Sequence, residues 1–211
     1  MSKTLFAAAL LAAAQFAHAD LLDFSGDICS ANADGSGVFT ACSNFAPINQ
    51  AYGDSAGVNV SYQYDTGNPS ASMQFWFDAY SGMERVSFGG IDPSITLTAL
   101  GGSTISLLGF DLGSWPNSTR NSQVTVVDLA TNTTILSTGT IAVLGSTPSS
   151  FSFSNAVSTV GFRIQFGPEG YNVGIDNLAF TVSAVPEPQS WLLMLGGALL
   201  LGLRRRGGER R

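Results

Sequence analysis

Between residue 58 and residue 182 the chain is written in period two. Val58–Tyr64, Ser72–Phe77, Ile95–Thr98, Val124–Val126, Phe151–Phe153, Phe162–Phe166 and Asn177–Val182 alternate apolar and polar side chains. Successive side chains of a strand point to opposite faces, so each run reads as a half-buried strand. Thr104–Leu112 is more continuously apolar and reads as a central strand. Gly, Pro, Asn and Ser clusters separate the runs, and no window between the chain ends carries a helical stripe. The pattern predicts an all-β domain, a β-sandwich of jelly-roll type. Residues 20 to about 50 lack alternation and read as an irregular, Gly- and Asn-rich segment. Asn59-Val-Ser, Asn117-Ser-Thr and Asn132-Thr-Thr read as polar, exposed turns.

The two ends follow other rules. Lys3, an apolar stretch from Leu5 to Phe16 and the small-x-small triplet Ala17-His18-Ala19 have the layout of a secretion signal helix ending at residue 19. Signal peptidase would cut before Asp20. At the other end Val185-Pro186-Glu187-Pro188 precedes an apolar run, Trp191–Leu203, and then Arg204, Arg205 and Arg206. Thirteen residues span about 20 Å as a helix, short against a hydrocarbon core of roughly 30 Å. The arginines hold that end on the cytoplasmic side, and the signal peptide sends the middle across. The expected organisation is signal 1–19, β-domain 20–184 and tag 185–211, with a short transmembrane helix as a transient inner-membrane anchor.

Charge and cysteine usage suit export. From Asp20 to Pro188 there are 14 acidic side chains and three arginines, a far more acidic balance than the whole chain's −6. Such a surface repels nucleic acid and anionic lipid, which excludes both as expected partners. The mean hydropathy of +0.22 is raised by the ends. Cys29 and Cys42 form an even pair in the exported part, which reads as a disulfide. The only histidine, His18, leaves with the signal, so a serine triad and a histidine-ligated zinc are both excluded.

The tail resembles the PEP-CTERM sorting signal of Gram-negative bacteria, carried on Pro186-Glu187-Pro188, Gly196-Gly197 in the apolar run and Arg204-Arg205-Arg206. The resemblance implies recognition by an exosortase, a membrane-embedded cysteine protease, and delivery to the cell surface or into exopolysaccharide and biofilm. Within the domain, Leu22-Asp-Phe-Ser-Gly26 resembles the opening strand of galactose-binding-like jelly rolls, and Val173–Phe180 their closing strand. Gly109-Phe-Asp-Leu-Gly113 is similar in character. That resemblance implies a structural Ca²⁺ at Asp176, with Asp23 as a partner, and oxygen is the donor Ca²⁺ prefers. The other reading of Asp176-Asn177 is a turn cap.

Two loop aromatics, Trp115 and Tyr171, are candidates for stacking on a sugar ring; the plainer reading is that they close the ends of the sandwich. Trp76, inside a strand pattern, reads as core. Glycosidases need two opposed carboxylates, and no spacing here selects a pair. Three function classes compete: a non-enzymatic surface or matrix component linked to exopolysaccharide, which is the expected role, a carbohydrate-binding module, and a secreted glycan hydrolase.

Overall fold

The computed structural model describes residues 18–184; the segments on either side, including Pro186, Glu187, Pro188 and Arg204 to Arg206, lie outside the described residues. The described chain is all-β, and two antiparallel sheets pack face to face as a sandwich. The strands are β1 (His18–Leu22), β2 (Val58–Gln63), β3 (Gln74–Tyr80), β4 (Met83–Phe88), β5 (Ser94–Ala99), β6 (Ser103–Ser114), β7 (Arg120–Asp128), β8 (Thr133–Ser137), β9 (Ile141–Val143), β10 (Ser149–Ser158), β11 (Gly161–Gly167) and β12 (Val173–Ala184). One sheet runs β10-β6-β12-β4-β3, with β1 also paired to β12. The other runs β2-β5-β11-β7-β8, with β9 also on β7.

The alternation read from the sequence is the alternation that is buried. Phe162, Ile164 and Phe166 of β11 are buried, as are Ile95 and Leu97 of β5 and Val58, Val60 and Tyr62 of β2. Leu107, Leu112, Ile175 and Phe180 face them from the other sheet. Each such side chain contributes about 1.5–3 kcal/mol on leaving water. Thr104–Leu112 is central as expected: β6 lies between β10 and β12.

Several expectations shift. The opening strand lies earlier than Leu22–Gly26. It ends at Leu22 because Phe24 takes a left-handed φ of 50° and the Asp23 carboxylate accepts the Ser25 N–H, closing an Asx turn. β1 is described from His18 on, with His18 opposite Val182 and Ala19 opposite Thr181. Asn59 sits in strand β2 rather than a turn, whereas Asn117 and Asn132 do take left-handed turn conformations. Strand β4 escapes a period-two reading because Glu84 and Arg85 stand side by side and Val86, Ser87 and Phe88 are all buried. Edge strand β8 escapes it because nearly every residue is exposed.

The irregular segment after β1 is pinned by the Cys29–Cys42 disulfide, with Cα atoms 5.1 Å apart. A loop of this length contributes about 3 kcal/mol when closed. Ile28, Cys29 and Ile48 are buried beneath it. Its return also covers the free edge of β2. Gln50 donates to Tyr62 O (2.7 Å) and accepts Tyr62 N–H (3.0 Å), and Asp54 accepts Val60 N–H (2.7 Å). Side chains thus satisfy backbone groups that would otherwise offer an open edge.

Candidate functional site

The outer face of the β6-β12-β4-β3 sheet carries a second, smaller apolar cluster. It begins with two glycines. Gly113 of β6 and Gly174 of β12 are register partners, and their bare backbone makes a flat shelf. A Cβ at Gly113 would come within 2.4 Å of Met83 Cε, and one at Gly174 within 2.7 Å of Val86 Cγ2. Tyr80, Met83 and Val86 therefore lie directly on the backbone, with Trp76 and Trp115 packed beside them. Glycine inside a strand marks this kind of close approach.

Above that shelf six aromatic rings, Phe45, Trp76, Tyr80, Phe88, Trp115 and Tyr171, line a hollow of about 80 Å³. Trp76 meets Trp115 edge to face at 6.0 Å and Phe45 at 4.8 Å, and Phe88 meets Tyr171 at 5.6 Å. Edge-to-face geometry suits the ring quadrupoles. Tyr171 stays 45% exposed and Phe45 46%. The hollow is open to solvent, so it is not a closed core.

The six rings come from two strands, β3 and β4, and three connecting segments. Phe45 adopts a φ of 69°, a costly conformation for a bulky residue, which carries its ring into the hollow. The neighbouring backbone is tied down by Phe45 N–H to Phe75 O (2.9 Å) and Phe75 N–H to Ala46 O (2.8 Å). The two loops are tied to each other and to the sheet. Trp115 N–H donates to Asn172 O (2.9 Å), and the Tyr80 hydroxyl donates to Tyr171 O (3.1 Å). Burial pushes the Tyr80 hydroxyl well above the ordinary tyrosine range, so it remains a donor at any working pH. Arg120 Nε donates to Trp115 O (2.9 Å) while its Nη1 lies 3.7 Å from Glu169 Oε2. The rim is polar and the lining apolar.

Both sugar-stacking candidates, Trp115 and Tyr171, thus come together in one place. They do so at strand ends, Trp115 just after β6 and Tyr171 just before β12. Trp76 is half-buried on the outer face, where the sequence reading put it in the core: the other face of β3 carries Phe75 inward. Phe45, Tyr80 and Phe88 were not legible as site residues. The available signals were glycines at 113 and 174 near the ends of apolar strands, and an aromatic in each connecting segment.

The calcium candidates have a different setting. Asp176 is only 7% exposed, opposite Asp111 in the β6–β12 register. Asn177, at φ 52°, starts a bulge; its N–H donates to Asp176 Oδ1 (2.7 Å) and its amide to Asp111 Oδ2 (2.8 Å). Burial, then the Asp23 and Asp111 charges, push the Asp176 carboxyl up to about 7. Asp23 is exposed, and its Oδ1 holds Ser25 N–H and Oγ–H, which keeps its pKa below the usual carboxylate range. Asp23 and Asp176 are close enough for their charges to interact, yet among the described residues no group of three or more Asp, Glu, His or Cys is placed to hold a metal ion. The side chains by themselves do not make the six- to eight-oxygen shell Ca²⁺ takes. No protein-family model matches the chain, and no curated protein matches it either.

Proposed function

We propose that the chain is an exported, non-enzymatic cell-surface or extracellular-matrix protein that engages neutral polysaccharide through the aromatic hollow. The observation that carries the reading is the convergence of Trp115 and Tyr171 with four further rings in one solvent-open depression. An aromatic face accepts the C–H side of a pyranose, while rim groups such as Asn172 and Glu169 meet hydroxyls. The acidic balance of the domain favours a neutral polymer over an anionic one. Glu169, the carboxylate of the Tyr171 loop, is engaged with Arg120. A glycosidase would need a second carboxylate across a shared bond, so hydrolysis is the weaker reading.

The fold suits attachment at one end. Strands that follow one another from β5 to β7 and from β10 to β12 alternate between the sheets, in keeping with a jelly roll. The chain enters β1 beside the point where it leaves β12, since His18 pairs with Val182. Gly174, under the hollow, is ten residues from Ala184, or roughly 33 Å along an extended strand. The signal and the PEP-CTERM-like tag would therefore both join the domain at one pole, with the hollow at the other. Before exosortase releases the chain, that pole faces the membrane and the hollow faces outward.

Two experiments test this. Pro186→Ala with Glu187→Ala should leave a membrane-bound chain of unprocessed size on an immunoblot; secreted product of normal size would refute the sorting assignment. On a glycan array, the wild-type protein should bind a neutral polysaccharide series and Trp115→Ala should lose at least tenfold in affinity. No binding to any glycan would refute the ligand class.

A further inference from the structure

We propose a second subsite for the same polymer on the opposite face of β3: the groove between that strand and the disulfide loop, taking one neutral hexopyranose unit. The proposal rests on the reading of the hollow as a glycan site and extends it. The groove measures about 500 Å³ and is lined by Asp27, Ser43, Asn44, Phe77 and Arg85 among others. Ligand pockets run from roughly 300 to 1,000 Å³. The hollow, at about 80 Å³, admits only the edge or face of a ring.

Phe77 is the platform. It is 56% exposed although Phe75, two residues earlier on the same face, is core. Asp78 and Ala79, directly after it, hold left-handed φ values of 71° and 66°, and the β3–β4 register shifts there. Such backbone is costly and concentrates where a side chain must be re-aimed. Arg85 is the register partner of Phe77, so its side chain stands beside the ring on the same face. Its ion pair is with the neighbouring Glu84 at 3.2 Å, exposed and therefore weak. Asn44 uses its carbonyl oxygen to accept Phe77 N–H (2.9 Å), which leaves its amide hydrogens as neutral donors. A ring face on Phe77, with vicinal hydroxyls between the Arg85 guanidinium and the Asp27 carboxylate, uses every one of these groups. One acid and one base lining the groove favour a neutral unit.

The two sites flank one edge strand and share no lining residue. Trp76 and Phe77 are consecutive and point to opposite faces of β3, and Phe45 and Asn44 divide in the same way across the covering loop. A linear glycan joining them would pass over the Asn44–Phe45 backbone, which is hydrogen-bonded to β3.

Calorimetric titration of the full-length chain with oligosaccharides of glucose and of N-acetylglucosamine, two to six units long, tests this. Affinity should rise at least tenfold from the shortest to the longest member of a bound series. Phe77→Ala should erase that gain and leave the shortest ligand unaffected; Arg85→Gln should act in the same direction and serves as the readout if Phe77→Ala alters the melting curve. Wild-type length dependence in both variants would overturn the groove and leave the hollow standing. Failure of the wild type to bind any member would overturn both.

Discussion

Asp176→Asn is expected to stabilise the domain at pH 8 by on the order of 4 kcal/mol and to leave it unchanged at pH 4. The carboxyl is buried, and the Asp23 and Asp111 charges add to the cost of ionising it, so its pKa in the fold is about 7. In the unfolded chain it lies near the ordinary value of about 4. A raised pKa means the folded state holds the proton more tightly. The associated stability is fully present below about pH 4 and is lost as pH rises to about 7, at roughly 1.4 kcal/mol per unit. Asparagine keeps the shape, can still accept the Asn177 N–H and removes the titration. Urea melts of both proteins at pH 4 and pH 8 in EDTA check this, and equal stability at pH 8 would contradict it. A calcium ion held at Asp176 would reverse the sign, with the variant less stable than wild type in calcium.

Phe180→Ala is expected to destabilise the domain by about 3–5 kcal/mol. The ring has no exposed surface and stands where three strands meet, opposite Leu107 in β6 and Asp20 in β1. Closely packed strands cannot collapse to fill the space, so a cavity remains and adds to the lost transfer energy. Against a total stability of about 5–15 kcal/mol, such a loss leaves a narrow margin. The urea midpoint should fall with its slope unchanged. A loss below 1 kcal/mol would mean that the sheets do not pack as described.

The fold was legible wherever one face of a strand is buried and the other is wet. β11 is the plainest case: Phe162, Ile164 and Phe166 alternate with Arg163 and Gln165, and their burial follows suit. Legibility failed where both faces are covered. β4 has core on its inner side and the aromatic cluster on its outer side, so Val86, Ser87 and Phe88 show no alternation. The same double covering hid two of the six rings. Trp115 and Tyr171 stood out as aromatics in loop-like sequence. Trp76 and Phe88 were indistinguishable from core residues, because a sequence gives the period of a strand without saying what lies on its second face. Phe45 was hidden by its backbone: a left-handed phenylalanine has no sequence signature. The disulfide was read from an even pair of cysteines in a segment expected to be exported, and the structure forms it.

Within residues 20–184 the only tryptophans are Trp76 and Trp115, and both line the hollow. Intrinsic tryptophan fluorescence of the trimmed domain therefore reports on this site alone. Titration with the neutral polysaccharide bound on the array should shift the emission saturably, and Trp115→Ala should abolish the response. An unchanged spectrum at concentrations where the domain co-sediments with the polysaccharide would place the binding elsewhere and contradict the account.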